Sequence, residues 1–542
     1  MHGKQRNQSN DARPGDELWD RQLTRREVVV GGAALGLSGF LATGARGEPG
    51  LLLPTAEKIR RGGRLRIAFP SGGLGETMDP AKGLTDKDDA FVASVFDRLA
   101  IFRPDYSIQH ELAVEFVPNR NATVWTIRLR PDVVWHNGKP FTADDVIYTI
   151  QVLGAPNSTA VGKSFLQQFD IPRIKKLNKL TLRIPTKVPL AGLPESFALW
   201  QTSIFQDGQK DFSKPPGTGP FMVESFDPGR VALFKRNPNY WRHGQPYVDE
   251  LQLITIADPT ASFNALLAGQ IDAMASLDFS TARHERNRRR VRVLVSLPSS
   301  NHSMVMQIDR KPFNDVRVRQ AMRLLADRQG LINSVFSGIG GVGNDIYGKG
   351  QYFYNAALPQ RRHDPEKAKA LLKKAGADHT QFNLYTTDVQ GRLQAAIAFA
   401  EQARKAGVKV KVNNTPSATY FAQRYDKVPF YSSIWSGFSI PQFFVFSVAC
   451  NALYNEANWC GRGNPAQPKF NRMLTEALGT ANRVRAKEIW SHLEEIMWHQ
   501  GGNLFWGIAP YADALSLKVR GYNPQERRLL GAYKFRKWWL AA

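Results

Sequence analysis

Residues 123–152 read TVWTIRLRPDVVWHNGKPFTADDVIYTIQV, and three local signals follow one another in them. Trp125, Ile127 and Leu129 alternate with Thr126, Arg128 and Arg130, the period of a strand with one apolar face. Asn137-Gly138 marks a turn. Phe141, Thr142 and Asp145 then open a helix: Thr142 as N-cap, Asp145 placing its charge at the helix N-terminus, and Phe141 positioned to staple onto Val146.

The whole chain is long enough for more than one core. At 542 residues it exceeds the size at which a single hydrophobic interior keeps growing, so two or three domains are expected. A hydrophobic content of 42% with 22% charged residues suits a soluble globular chain. The formal net charge of +24 raises nucleic acid as a partner, but the positive residues are spread rather than gathered in one element. Arg317, Arg319 and Arg323 read as surface positions of a helix, and the densest run, Arg286 to Arg290, reads as a solvated connection before the strand 291–295. No nucleic-acid partner is expected.

Further motifs share an order and spacing with the strand-turn-helix segment. They are GGRLRIAFP at 62–70 with Met78-Asp79-Pro80, GTGPF at 217–221, NPNYW at 237–241, Tyr247-Val248-Asp249-Glu250 and AGQIDA at 268–273. KPFNDVRVRQAM at 311–322, DPEKAKALLKKAG at 364–376 and KAGVKVKV at 405–412 complete the series. Together they resemble the family 5 extracytoplasmic solute-binding proteins, the peptide, opine and nickel receptors of ABC importers. The resemblance implies an α/β fold of two lobes joined by two hinge strands, with an extra subdomain on the first lobe. It also implies that ligand is captured between the lobes and passed to a membrane permease. The expected organisation is a signal peptide at 1–45, a linker at 46–61, first-lobe segments at 62–97, 200–300 and 505–542, a subdomain at 98–199, and a second lobe at 301–504.

The N-terminus reads as an address. Arg25-Arg26 precede a Gly-rich, weakly apolar run to about Leu41, the pattern of a twin-arginine export signal, and that run is too short for a membrane span. No cysteine lies near the cleavage region, so a lipid anchor is not expected and the mature chain should be free in a periplasm. Residues 1–45 hold six Lys/Arg against five Asp/Glu, so the mature part keeps a net charge of +23. In an oxidising compartment the close pair Cys450 and Cys460 is expected to form a bridge, as in the similar cysteine-closed loop of dipeptide-binding relatives. Closing so short a loop is worth about 2.5–3 kcal/mol on the chain-entropy estimate. No histidine stands near enough to favour zinc there.

Enzyme signatures do not hold up in context. Gly338 to Gly343 matches G-x-G-x-x-G, but it follows an amphipathic helix instead of a strand, and Asn344-Asp345 is no helix start. No G-x-S-x-G elbow, H-E-x-x-H helix or Walker loop occurs. No catalytic residue, cofactor or metal is expected.

Alternating elements then place the ligand site. Asp364 caps a helix that starts at Pro365, and strand 382–385, a helix over 389–406 and strand 408–412 form a βαβ unit. Crossovers are expected near Ser300–Met306 and at Asn503-Leu504-Phe505-Trp506. The pocket should involve the run from Ile434 to Phe444, with Trp435, Phe438 and Trp459 available for stacking, Ser436 and Ser439 beside them, and Asn301 and His302 offering polar contacts from the hinge. In peptide-binding relatives an aspartate that pairs with the peptide's α-amine stands where this chain has Ser439. The departure argues against ordinary peptides, because an ammonium buried without a carboxylate costs several kcal/mol. Expected partners are a small-molecule or peptide-like ligand and an inner-membrane ABC permease, with the receptor a monomer. A chemosensory role or a peptide-holding chaperone is the alternative.

Overall fold

The computed structural model describes residues 57–70, 73–286, 288, 290–450, 452, 454–459 and 467–542. Arg25, Arg26 and Cys460 lie outside the described residues, so the export signal and the bridge partner of Cys450 are not described.

The quoted segment forms the elements its pattern predicts. Strand Val124–Leu129 buries Trp125, Ile127 and Leu129, and Trp135 N donates to Lys139 O at 2.8 Å around a turn where Gly138 has φ of +82°. Helix Ala143–Gly154 starts at a capping box: the Thr142 side chain takes a backbone N–H of the first turn, while Thr142 N donates to Asp145 Oδ2 at 2.7 Å. The strand lies in a four-stranded antiparallel sheet with Ala113–Pro118, Thr181–Pro185 and Lys175–Asn178, all within 98–199.

Two larger sheets carry the two lobes. A seven-stranded sheet runs in the order Arg292–Val295, Ala512–Leu515, Ala273–Met274, Arg64–Phe69, Glu250–Thr255, Val231–Arg236, Phe221–Asp227. The second, six-stranded sheet is ordered Gly341–Val342, Asn503–Ala509, Ser300–Met306, Phe430–Trp435, Gln381–Thr386, Lys409–Asn414. Within it the βαβ unit pairs Gln381–Thr386 with Lys409–Asn414 in parallel through helix Arg392–Lys405. Asp364 caps helix Pro365–Lys374, accepting from Lys367 N at 2.9 Å.

The chain passes between the lobes twice, and the two passages run side by side. Ser296 N donates to Tyr511 O at 2.9 Å and Ser299 N to Ala509 O at 3.1 Å, tying residues 296–299 to 509–511. The division expected at 504/505 falls inside strand Asn503–Ala509, whose pairing with Ser300–Met306 continues to Ala509.

Several recurring motifs prove to be structural fastenings. Asp97 is buried and accepts from Thr218 Oγ1 at 3.2 Å, Tyr240 OH at 3.2 Å and Trp241 Nε1 at 2.9 Å, so GTGPF and NPNYW converge on one carboxylate. Burial raises this carboxyl to about 6. The two glycines of GTGPF are required by close approach: a Cβ on Gly217 would lie 1.7 Å from Val95 O. His136 bridges the same loop, taking Gly217 N–H on Nδ1 and reaching Gly219 O through Nε2, both at 3.0 Å, which requires the neutral ring; burial lowers it to about 4.

The Gly338–Gly343 run is no phosphate cradle. It turns out of helix Arg328–Phe336 through a left-handed Ser337 and adds the two-residue edge strand Gly341–Val342 to the second sheet. A Cβ on Gly343 would meet Phe505 O at 2.3 Å, so close backbone approach explains the glycine there.

Arg319 and Arg323 correct the expectation of a solvated helix face. Both are buried, and they reach the C-terminus of helix Arg483–Gln500. Arg319 Nη2 donates to Gln500 O at 2.7 Å; Arg323 Nη1 donates to Trp498 O at 3.0 Å, Nη2 to Gly501 O at 2.5 Å and Nε to Asn503 O at 3.1 Å. A helix end leaves carbonyls unpaired and carries partial negative charge, so two guanidiniums satisfy both needs in a dry place.

Candidate ligand-binding site

A cavity of about 550 Å³ lies between the antiparallel subdomain of the first lobe and the helical cover of the second. Phe165, Leu190 and Pro194 form its wall on one side, and Phe353, Phe446, Leu474 and Trp490 form it on the other. The size is that of a small-molecule chamber, and polar side chains such as Gln351, Ser439, Asn471 and Thr475 stand among these apolar ones.

The subdomain and the second lobe meet around this chamber. The Phe165 ring stands edge-on to Phe446 with centroids 4.8 Å apart, and Ala191 N donates to Leu478 O at 2.7 Å. Ser439 Oγ donates to Glu195 Oε2 at 2.5 Å, and Gln442 Nε2 donates to Glu195 O at 3.3 Å. Glu195 sits in the short helix Leu193–Ser196, while Ser439 is the N-cap of Ile440–Phe443, with Gln442 completing its capping box. The cap fixes Ser439 in place, and the subdomain brings the carboxylate to it.

Desolvation raises the Glu195 carboxyl to about 7, against the Ser439 hydrogen bond and the Arg483 charge, which both lower it. Oε1 of Glu195 accepts no hydrogen bond from the described residues, and no cation among them stands within 4 Å of this carboxylate. Arg483 lines the same cavity, its guanidinium 4.3 Å from the Tyr352 ring centroid.

Of the seven ligand contacts expected from the sequence, Ser439 lines this cavity. Trp435 is buried at the end of strand Phe430–Trp435, paired with Asn301 and edge-on to Phe438 at 5.4 Å. Phe438 is half-buried and packs on Phe165 and Phe446, behind the chamber wall. Ser436 is half-buried and bonds the Tyr511 hydroxyl beside the interlobe passage. Trp459 is a core residue: its indole packs against Phe470, 4.9 Å between centroids, where the helices of the second lobe cover it.

Asn301 is likewise buried, donating to Ser299 O at 2.9 Å and accepting from Gly348 N at 3.4 Å, so it fastens the hinge. His302 packs between Phe336 and Trp506, with centroids at 4.9 and 5.4 Å, and burial aided by Arg392 pushes its ring down to about 3. It is neutral at physiological pH and sits in aromatic packing.

The residues that sequence reasoning missed are Glu195, Phe165, Phe446, Arg483 and Trp490. No local signal distinguishes them: Glu195 meets Ser439 across 244 residues of chain. Cys450 lines the rim of the chamber, and its Sγ receives the side-chain amides of Asn471 at 3.1 Å and Gln467 at 3.3 Å. Among the described residues no group of acidic, histidine and cysteine side chains is arranged to hold a metal ion, and no helix is long and apolar enough to cross a membrane.

Comparison with known proteins agrees with the architecture. The di/tripeptide-binding protein 1 of Pseudomonas aeruginosa is 25% identical over 482 residues, covering 80% of this chain and 87% of that protein. The glutathione-binding protein GsiB of Pectobacterium atrosepticum is 23% identical over 475 residues, covering 82% and 89%. Among solved structures, NikA from Brucella suis in complex with Fe(III)-EDTA superposes with a TM-score of 0.77 at 18% identity, covering 88% of this chain and 100% of that one. The binding protein AgaA from A. tumefaciens R10 in complex with agropinic acid gives 0.74 at 21% identity, covering 89% and 99%. The profile of the bacterial extracellular solute-binding proteins, family 5 middle, matches residues 107–452, and the chain therefore belongs to that family of bilobal receptors.

Proposed function

We propose that this chain is the periplasmic substrate-binding component of an ABC importer and captures a small peptide-like or conjugated amino-acid solute in the chamber between its subdomain and second lobe. The observation that carries the reading is the 550 Å³ cavity walled by both lobes, lined by the carboxylates of Asp105 and Glu195 and the guanidinium of Arg483 among apolar and neutral polar neighbours. Relatives named for di/tripeptides and for glutathione support the ligand class. The closed complex is handed to an inner-membrane permease, whose ATPase subunits supply the energy; this chain performs binding and no covalent chemistry.

The finer assignments follow the sequence. The receptor leaves the cytoplasm by the twin-arginine route through Arg25 and Arg26, is free of a lipid anchor, carries a Cys450–Cys460 bridge, works as a monomer and binds no nucleic acid. Ser439 contacts the ligand directly, while Trp435, Ser436, Phe438, Trp459, Asn301 and His302 support the chamber and hinge.

The test is mass spectrometry of small molecules released when periplasmically produced protein is denatured. A stoichiometric solute of peptide-like composition is expected. Repeated release of nothing, together with no thermal stabilisation by any peptide, opine or amino-acid conjugate, would refute the reading.

A further inference from the structure

We infer that Glu195, with Ser439, is the cation-reading group of the chamber, and that the cargo is an amine-bearing compound whose ammonium sits against Glu195 Oε1 while an apolar side chain fills the space toward Phe446 and Trp490. This rests on the receptor reading above and names the ligand class for the same site.

The geometry carries the inference. Glu195 lines the cavity with one oxygen already held by the Ser439 hydroxyl at 2.5 Å and the other without a hydrogen-bond donor among the described residues. Several buried carboxylates elsewhere are paired or supplied with donors: Asp345 with Arg328 at 2.6 Å and Arg361 at 2.5 Å, Asp272 with Arg66 at 3.0 Å, and Asp97 with three side-chain donors; Glu494 also has an oxygen without a hydrogen-bond partner, but it is fully buried and lines no part of the chamber. A carboxylate drawn out of water without a counter-ion is costly, and the cost is recovered when a cation arrives with its own hydrogen-bond donors. The raised carboxyl, at about 7, is what such an unpaired group should show before its partner binds.

The surroundings fit an amine in particular. Ser439 is fixed by its capping role and presents its hydroxyl to Oε2, and no donor among the described residues takes Oε1. A primary ammonium offers three donors on a compact group and could reach Oε1 and polar atoms nearby. Arg483 is the charged side chain that faces Glu195, and it gives an anionic end of a zwitterionic cargo a partner at the cavity edge. The position at 439 therefore lacks a carboxylate of its own, while the opposite wall supplies one.

The experiment uses the full mature protein and two matched sets of probes. One contains Ala-Phe, Ala-Ala-Phe and 3-phenylpropylamine; the other contains their N-acetyl counterparts. Affinities are measured by thermal shift and calorimetry for the natural protein and for Glu195→Gln, which keeps the shape and the hydrogen bond to Ser439 but removes the charge. The expected result is that free amines bind at least 10-fold more tightly than acetylated ones and that Glu195→Gln abolishes the preference.

A second measurement keeps the inference testable if that variant folds poorly. Calorimetry of the natural protein at pH 6.5, in buffers of different ionisation enthalpy, should show proton release on binding the free amine and none on binding the acetylated one. The inference is overturned if acetylated probes bind as well as free amines, if the preference survives in Glu195→Gln, if no proton is released, or if every amine is ignored. Should the protein then yield an amine-free solute from the periplasm, the receptor reading stands and only the ligand class falls. Should it yield and bind nothing, both fall.

Discussion

Ser439 of the second lobe and Glu195 of the subdomain meet in one hydrogen bond of 2.5 Å where the two walls of the chamber touch, so a position with no carboxylate of its own has one beside it. The expectation that a serine there disfavours free amines is reasonable from the chain alone. The inference that Glu195 supplies the charge predicts the opposite preference.

Affinity for cationic probes should depend on pH. Glu195 must be ionised to pair with an ammonium, and its carboxyl lies at about 7 in the empty chamber; Ser439 and Gln442 from one side and Arg483 from another are the groups that face it. Below that value each pH unit removes about tenfold in the ionised fraction, so lowering pH from 7.5 to 5.5 should weaken amine binding about 10- to 30-fold. Isothermal titration across this range checks it; a flat profile for 3-phenylpropylamine would contradict the role of Glu195.

Removing the guanidinium at Arg323 should destabilise the second lobe. Arg323→Met retains the aliphatic bulk but removes the guanidinium donor to Asn503 O, whereas Trp498 O keeps Arg361 Nη2 at 3.0 Å and Gly501 O keeps Arg319 Nε at 3.3 Å. Leaving one buried acceptor unpaired where water cannot reach costs about 1–3 kcal/mol, and a loss of that size is expected. Urea unfolding followed by tryptophan fluorescence measures it, and no measurable change would show Asn503 O to be met otherwise.

His302 should contribute to acid unfolding. Its ring is held down to about 3 from an ordinary 6.5, so the folded state resists protonation. The associated stability is present above pH 6.5 and is lost as pH falls toward 3, on the order of 4 kcal/mol in total. His302→Phe fits between Phe336 and Trp506 and cannot titrate; its unfolding midpoint should fall less steeply than that of the natural protein between pH 6.5 and 4. Parallel slopes would assign the acid sensitivity to other groups.

Export should require the arginine pair. Replacing Arg25 and Arg26 by Lys should leave precursor in the cytoplasm, read by fractionation and immunoblot. Undiminished mature protein in the periplasm would remove the twin-arginine assignment.

Much of the fold is legible because its signals are local. Thr142 and Asp145 form the box their spacing indicates, Asp364 caps the helix begun by Pro365, and the alternation at 125–129 puts the tryptophan inside. The motifs at 217–221 and 237–241 are recognisable strings, yet their meaning, a shared fastening on Asp97, appears only when distant strands meet.

The chamber is less legible for the same reason. Aromatic residues chosen for their type divide by packing: Trp459 is enclosed by helices of its own lobe, whereas Phe165 and Phe446 reach the interface from different segments. Arg319 and Arg323 look solvated in a helical pattern because the helix end they serve lies some 180 residues away. Charge alone does not tell a surface arginine from one that closes a helix.

The central claim is that ligand sits between the subdomain and the second lobe, and a crystal structure of the protein with the solute it releases on denaturation tests it most directly. The account predicts density in the 550 Å³ chamber, within hydrogen-bonding distance of Ser439 or Glu195 and against Phe446. Density lodged instead in the smaller cavity of about 80 Å³ beside Asp97, Arg98 and Tyr533, or on the outer surface with the chamber empty, would contradict it.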